Sequence, residues 1–153
     1  MTRVRVNGSD YDLETHPRAP LLWALRDELG CASAKYGCGV EQCGACRVLI
    51  DGVPVSSCTV TIAAAERHDV TTLEGLVADG RAMGVVDALL AVDAGQCGYC
   101  LPGIVTTLTA MASRPTAPTR ADLLRALDPH LCRCGAQARI IAAACTALGV
   151  SDA

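Results

Sequence analysis

Alternation of apolar and polar residues predicts two β-hairpins and a further strand in the first half of the chain. Residues 4–13 alternate around Asn7-Gly8, a pair that suits a type I′ turn because both positions tolerate a positive φ. Residues 47–55 repeat the arrangement around Asp51-Gly52, and residues 68–72 have the composition of one more strand. These segments predict a small sheet.

Helical spacing predicts one helix beside this sheet and about four in the rest of the chain. Residues 20–29 begin with Pro, end before Gly and carry apolar side chains at helical intervals. Thr119 and Asp122 have the spacing of a capping box. The later helical segments are 85–92, 104–111, 120–127 and 136–148. The pattern predicts an α+β protein, with a sheet domain at residues 1–75 and a helical bundle at residues 76–153.

Ten cysteines among 153 residues are the dominant compositional feature. A net charge of −3 without a basic cluster gives no indication of nucleic-acid binding. The apolar runs are too short to span a bilayer, and the first residues lack the apolar segment of a signal peptide. We therefore expect a cytoplasmic protein, in which clustered cysteines bind metal more often than they form disulfides.

Four of the cysteines lie in or just after a glycine-rich segment, with four, two and eleven residues between them. Four and then two is the start of the plant-type ferredoxin spacing. Gly37, Gly39 and Gly44 would let the backbone approach an inorganic core and point N–H groups at it. This pattern favours a 2Fe–2S cluster over zinc, whose sites more usually show two CxxC-like pairs. The set consists of Cys38, Cys43, Cys46 and Cys58.

A second set combines a CxxC pair with a CxC pair, each beside the end of a predicted helix. Antiparallel helices could bring the two pairs together and close a site of four thiolates. On spacing alone, zinc and iron–sulfur fit almost equally, since both accept all-sulfur ligation. A thioredoxin-like disulfide fits less well, because that CxxC motif belongs to a βα unit. The members are Cys97, Cys100, Cys132 and Cys134.

Three segments characterise a protein family more specifically than their cysteine spacing alone: YGCGVEQCGACRVLIDGVPVSSC, QCGYCLPG and LCRCG. They resemble the small iron–sulfur subunit of the xanthine dehydrogenase, or molybdenum hydroxylase, family, and the resemblance covers nearly the whole chain. It implies a β-grasp ferredoxin domain followed by a four-helix iron–sulfur domain. It also implies that each cysteine set holds one 2Fe–2S cluster.

The resemblance implies an oxidoreductase subunit that carries electrons and has no catalytic residue of its own. A large partner subunit would hold a molybdopterin cofactor and hydroxylate an N-heteroaromatic compound or an aldehyde. Gln96 would contact that cofactor, beside the proximal cluster on the second cysteine set. Electrons would leave through the distal cluster on the first set, to an FAD-binding subunit or a cytochrome. Gly135, after the CxC, resembles the isoquinoline and nicotinate oxidoreductase branch, in which the acceptor is of the cytochrome type.

Two other interpretations remain open at this level: a free-standing two-cluster ferredoxin that shuttles electrons, and a zinc-stabilised interaction module. Cys31 and Cys145 lie outside both sets and are expected in the core as small apolar residues. His130, two residues before Cys132, is expected to be solvated or to support the site without binding metal.

Overall fold

The computed structural model describes residues 1–151; residues 152 and 153, the last two of the predicted helical domain, lie outside the described part. A five-stranded mixed sheet occupies the first half. Its order is β2-β1-β5-β3-β4, with β1 and β5 parallel and the other neighbours antiparallel. The strands are β1 (Thr2–Val6), β2 (Ser9–Leu13), β3 (Arg47–Ile50), β4 (Val53–Ser56) and β5 (Asp69–Thr71).

Both predicted hairpins are present. Asn7 and Gly8 between β1 and β2 have φ values of 50° and 82°. Asp51 and Gly52 between β3 and β4 have 50° and 79°. Two successive positive φ values define the type I′ turn, whose twist matches that of the flanking strands.

The predicted helix at residues 20–29 contains two kinds of helical turn. Helix α1 (Leu21–Trp23) continues without a break into a π-helical segment, Ala24–Glu28. The Leu29 N–H donates to the Ala24 carbonyl over 3.1 Å, which is the i to i−5 bond of a π-helix. The apolar spacing of these residues predicts a helical segment but does not distinguish the two hydrogen-bond patterns.

Two short helices were not predicted. Helix α2 (Ile62–Ala65) is capped by Thr61, whose hydroxyl accepts a hydrogen bond from the Ala64 N–H. Helix α3 (Leu73–Ala78) follows β5 and runs across the predicted domain boundary after residue 75. Segments of four and six residues are too short to show a helical period, so the apolar pattern contains no signal for them.

The predicted helical bundle is present within the described residues. Helix α6 starts with the predicted capping box, in which Thr119 accepts from the Asp122 N–H and Asp122 accepts from the Thr119 N–H. Gly149 ends the last helix with φ of 63°. The helices are α4 (Met83–Ala91), α5 (Leu101–Ala112), α6 (Arg120–Leu127) and α7 (Gln137–Leu148).

Helix α5 is the central element of the second half and joins it to the sheet. Ile104, Leu108 and Met111 are almost completely buried, and burying each such side chain contributes about 1.5–3 kcal/mol. Helix α5 also packs on β3, whose Leu49 belongs to the helical core. The two halves therefore contact each other directly. No helix within residues 1–151 is long and apolar enough to cross a membrane.

Candidate metal centres

The first cysteine set lies on the loop before β3 and on the turn after β4. Arg47 pairs with Ser56 across this hairpin, so Cys46 and Cys58 flank the same end of it. The N–H and hydroxyl of Ser57 both donate to the Cys46 carbonyl, over 3.2 and 2.7 Å. The hairpin register therefore brings together two cysteines that are separated by eleven residues in the sequence.

Backbone N–H groups point at the sulfur atoms of this loop. Those of Val40 and Gln42 donate to Cys38 Sγ over 3.4 and 3.1 Å. The Cys38 N–H donates to Cys43 Sγ over 3.4 Å. Burial opposes ionisation of Cys38, but the N–H donors outweigh it and lower the pKa of this thiol to about 7. The loop thus stabilises a thiolate, the form of cysteine that binds metal.

Glycine permits close packing of the backbone around a sulfur atom of this loop. A Cβ atom at Gly37 would lie 2.7 Å from Cys43 Sγ, a distance that real Cβ atoms do not adopt. Gly39 and Gly44 both have φ of 70°, in the left-handed region that favours glycine. Cys58 lies deeper, where burial and the neighbouring Cys46 raise the pKa of its thiol to about 11.

The second set lies where two helices begin. Cys97 and Cys100 precede α5, and Cys132 and Cys134 lie in the connection from α6 to α7. The Cys97 thiol interacts with that of Cys134, and the Cys100 thiol with that of Cys132. The structure thus brings the CxxC and CxC pairs together at one end of the bundle; that they bind metal stays a prediction.

The environments in this second set also differ from sulfur to sulfur. The Tyr99 N–H lowers the pKa of the exposed Cys97 thiol. Burial opposes ionisation of Cys132, but the Ala136 N–H donates to its Sγ over 3.4 Å and the net effect lowers its pKa. Burial raises the pKa of Cys100 to about 11. As in the first set, N–H donors favour a thiolate near the surface while one partner sulfur is buried.

Within each set the thiols interact most strongly in pairs, although weaker interactions also reach a third sulfur. A two-by-two arrangement suits a 2Fe–2S core, because its four protein sulfurs are divided between two irons. A four-thiolate zinc ion instead needs all four sulfurs around one point. The pairs are Cys38 with Cys43, Cys46 with Cys58, Cys97 with Cys134 and Cys100 with Cys132.

Gln96 is exposed beside the second set. Its Nε2 donates to the Cys134 carbonyl over 3.1 Å. It lines a cleft of about 330 Å³ together with Asp93, Gly135 and Arg139. The side chain is therefore held at the surface of the protein, directly next to a predicted ligand.

The remaining cysteines and His130 are buried. Cys31 and Cys145 are 8% and 3% exposed, as expected for core residues outside both sets. His130 is only 5% exposed, so it is not solvated, and its Nε2 lies 3.0 Å from Thr107 Oγ1. Burial, together with the charge of Arg47, lowers the pKa of His130 to about 4, and the imidazole is neutral at pH 7.

Comparison with known proteins agrees with this geometry. A family model described as 2Fe-2S iron-sulfur cluster binding domain matches residues 4–78, and one described as [2Fe-2S] binding domain matches residues 72–145. The nicotinate dehydrogenase small FeS subunit of Eubacterium barkeri is 36% identical over 92% of this chain and 89% of its own length. The xanthine dehydrogenase iron-sulfur-binding subunit of Escherichia coli O157:H7 is 40% identical, over 84% and 82%.

The chain belongs to the iron–sulfur subunits of the xanthine dehydrogenase family. Because one 2Fe–2S model matches each half of this family member, it carries two such clusters. The solved aldehyde oxidoreductase from Desulfovibrio desulfuricans ATCC 27774 superposes with a TM-score of 0.85 and 33% identity. That match covers 97% of this chain but only 17% of the aldehyde oxidoreductase chain, so there the same fold is a small part of a longer polypeptide.

Sequence reasoning missed the contacts that join the two cysteine loops of this family member. Tyr99, between two predicted ligands, donates its hydroxyl to the Tyr36 carbonyl over 2.6 Å. The Leu131 N–H donates to the Cys43 carbonyl over 3.1 Å. The only sequence signal was the position of these residues next to cysteines, which does not indicate which loop faces which.

Proposed function

We propose that this chain is the electron-transfer subunit of a multi-subunit molybdenum hydroxylase. The observation that carries the proposal is the presence of two complete cysteine quartets, one in each half of a chain whose halves pack directly together. A protein with one redox centre needs one quartet. Two quartets in contact favour electron transfer in series, and both relatives compared above are named as subunits of dehydrogenases.

The paired sulfurs support two ligand sets. We propose Cys38, Cys43, Cys46 and Cys58 for the distal cluster, and Cys97, Cys100, Cys132 and Cys134 for the proximal one. When bound, each 2Fe–2S cluster accepts and releases one electron at a time. The chain itself supplies thiolates, N–H donors that offset their negative charge, and burial that keeps water from the inner sulfurs.

The proximal assignment rests on what is exposed at the second set. Cys97 and Gln96 reach the surface, and Gln96 is hydrogen-bonded to the backbone of Cys134. An amide held in this way can donate and accept hydrogen bonds with a heterocycle. We propose that Gln96 contacts the molybdopterin of a large partner subunit seated over this cleft.

The substrate and the final acceptor belong to other chains. We propose an N-heteroaromatic compound or an aldehyde as the substrate, since one relative is named for nicotinate and a structural neighbour for aldehyde. The proposed acceptor is an FAD-binding subunit or a cytochrome, next to the loop of the first set. A cytoplasmic location is in keeping with ten cysteines that form no disulfide.

Purification of the native protein without denaturation tests the proposal. We expect co-elution with a larger molybdenum-containing subunit, and four iron atoms and four acid-labile sulfides per copy of this chain, two for each domain match. Elution as a lone iron–sulfur protein without molybdenum would indicate a ferredoxin shuttle. A colourless protein with stoichiometric zinc would indicate an interaction module.

A further inference from the structure

The two cysteine loops contact each other through two hydrogen bonds. Leu131, next to Cys132 of the second set, donates its N–H to the carbonyl of Cys43 in the first set over 3.1 Å. Tyr99, between Cys97 and Cys100, donates its hydroxyl to the Tyr36 carbonyl over 2.6 Å. Each bond therefore runs from a residue beside one set to a residue in or beside the other.

Two glycines also let α5 approach the first loop. A Cβ at Gly103 would lie 2.0 Å from the Gly44 carbonyl oxygen, and one at Gly44 would lie 2.3 Å from His130 Nδ1. The buried His130 ring thus fills the space that a side chain at position 44 would take. We call this group of backbone and ring contacts, together with the two hydrogen bonds, the inter-loop contact.

We propose that the inter-loop contact fixes the separation and orientation of the two redox centres, and that Tyr99 and Gly103 are its positioning residues. The inference rests on the proposed function, because it takes the two quartets as the ligand sets. The Leu131–Cys43 hydrogen bond then connects a ligand of one centre to the neighbour of a ligand of the other. Electron tunnelling falls exponentially with distance, so a contact that holds the loops together controls its rate.

The inter-loop contact would serve a simple electron transfer between the two centres. One electron would pass between the two clusters that the quartets would hold, and no covalent bond forms or breaks in the chain. No proton has to move across the contact, since the two hydrogen bonds end on backbone carbonyl oxygens. The residues act by position and do not themselves change oxidation state.

Tyr99 is held in a defined position although half of its surface is exposed. Its ring lies 5.7 Å from Lys35 Nζ, and the Tyr36 ring that follows Lys35 stacks on Trp23 with centroids 5.4 Å apart. The Tyr99 side chain thus contacts the first half of the protein through its ring and through its hydroxyl. Removing the hydroxyl alone would take away the hydrogen bond to the Tyr36 carbonyl and leave the contact between the ring and Lys35 in place.

The chain provides a matched pair of helix glycines for the test. Gly103→Ala places a methyl group against the Gly44 backbone and has to move α5 away from the first loop. Gly84→Ala in α4 meets nothing within 4 Å and serves as the control. Tyr99→Phe removes one hydroxyl, and Tyr11→Phe on the exposed strand β2 is its control.

The measurement is the magnetic interaction between the two centres, seen as splitting of the low-temperature EPR signals of the fully reduced native complex. Iron and sulfide content are measured on the same samples. We expect the splitting to narrow or vanish in Tyr99→Phe and Gly103→Ala while iron is retained, and to be unchanged in both controls.

Unchanged splitting in an iron-replete Tyr99→Phe protein would overturn the role of Tyr99. The same result for Gly103→Ala would overturn the role of the glycine contact. If Gly103→Ala loses iron, the splitting in Tyr99→Phe alone decides whether the inter-loop contact positions the two centres. A wild-type protein with both clusters but no magnetic interaction would contradict the inference and leave the proposed function intact, whereas a protein without clusters would contradict the proposed function first.

Discussion

At the scale of single residues, the local environments within each set shift the pKa values of different thiols in opposite directions. Backbone N–H groups hold the pKa of Cys38 near 7, while burial raises that of Cys58 to about 11. The same contrast separates Cys97 from Cys100 in the second set. Metal binding must displace the proton of the buried partner, so part of the free energy of cluster binding is consumed in ionising these thiols.

Removing one predicted ligand should affect only its own centre. In Cys134→Ala the second set loses one sulfur of the Cys97 pair, so we expect loss of one of the two reduced-cluster EPR signals and about half of the iron. Cys31→Ala is the control, since Cys31 is buried outside both sets, and it should retain all of the iron. Survival of both signals in Cys134→Ala would show that the ligand assignment is wrong.

At the scale of secondary-structure elements, the sequence predicts what is local. The two Asn-Gly and Asp-Gly hairpins, the capping box at Thr119 and the helix that ends at Gly149 are all present, because each depends on a few adjacent residues. Helices α2 and α3 and the π-helical segment were missed, since their short length or altered hydrogen bonding leaves no period in the apolar pattern.

The candidate site shows the same difference between local features, which the sequence predicts, and contacts between distant segments, which it does not. Spacing and glycine content allowed both cysteine sets to be proposed from the sequence, because ligand loops are local features. The inter-loop contact could not be predicted, since it depends on how α5 packs on β3 and on a close approach between Gly44 and Gly103. Likewise, the burial of His130 follows from this packing and not from its neighbours in the sequence.

The capping box offers a test at this scale. Thr119→Ala removes the hydroxyl that accepts from the Asp122 N–H, and we expect the free energy of unfolding to fall by about 1 kcal/mol. Thr119→Ser keeps the acceptor and should be close to wild type. Thermal or denaturant unfolding of the cluster-loaded chain measures both. An equal loss in the two variants would show that the cap does not stabilise α6.

At the scale of the whole molecule, the two quartets, the exposed Gln96 and the packed halves support the proposed direction of electron transfer, from the second set to the first. Gln96 and Cys97 are exposed at the second set, and the inter-loop contact leads from there to the first set. Each oxidised cluster adds a charge of about −2 to the formal −3 of the chain, so N–H donors and nearby arginines have to offset it. This arrangement suits a chain that passes electrons between partners and performs no substrate chemistry.

The most direct test of the central claim is quantitative EPR of the native complex after reduction with dithionite. The account predicts two distinct 2Fe–2S signals that integrate to about two spins per copy of this chain, in a sample that also contains molybdenum. A single signal of one spin per chain, or a protein whose cysteines hold zinc and give no signal, would contradict it.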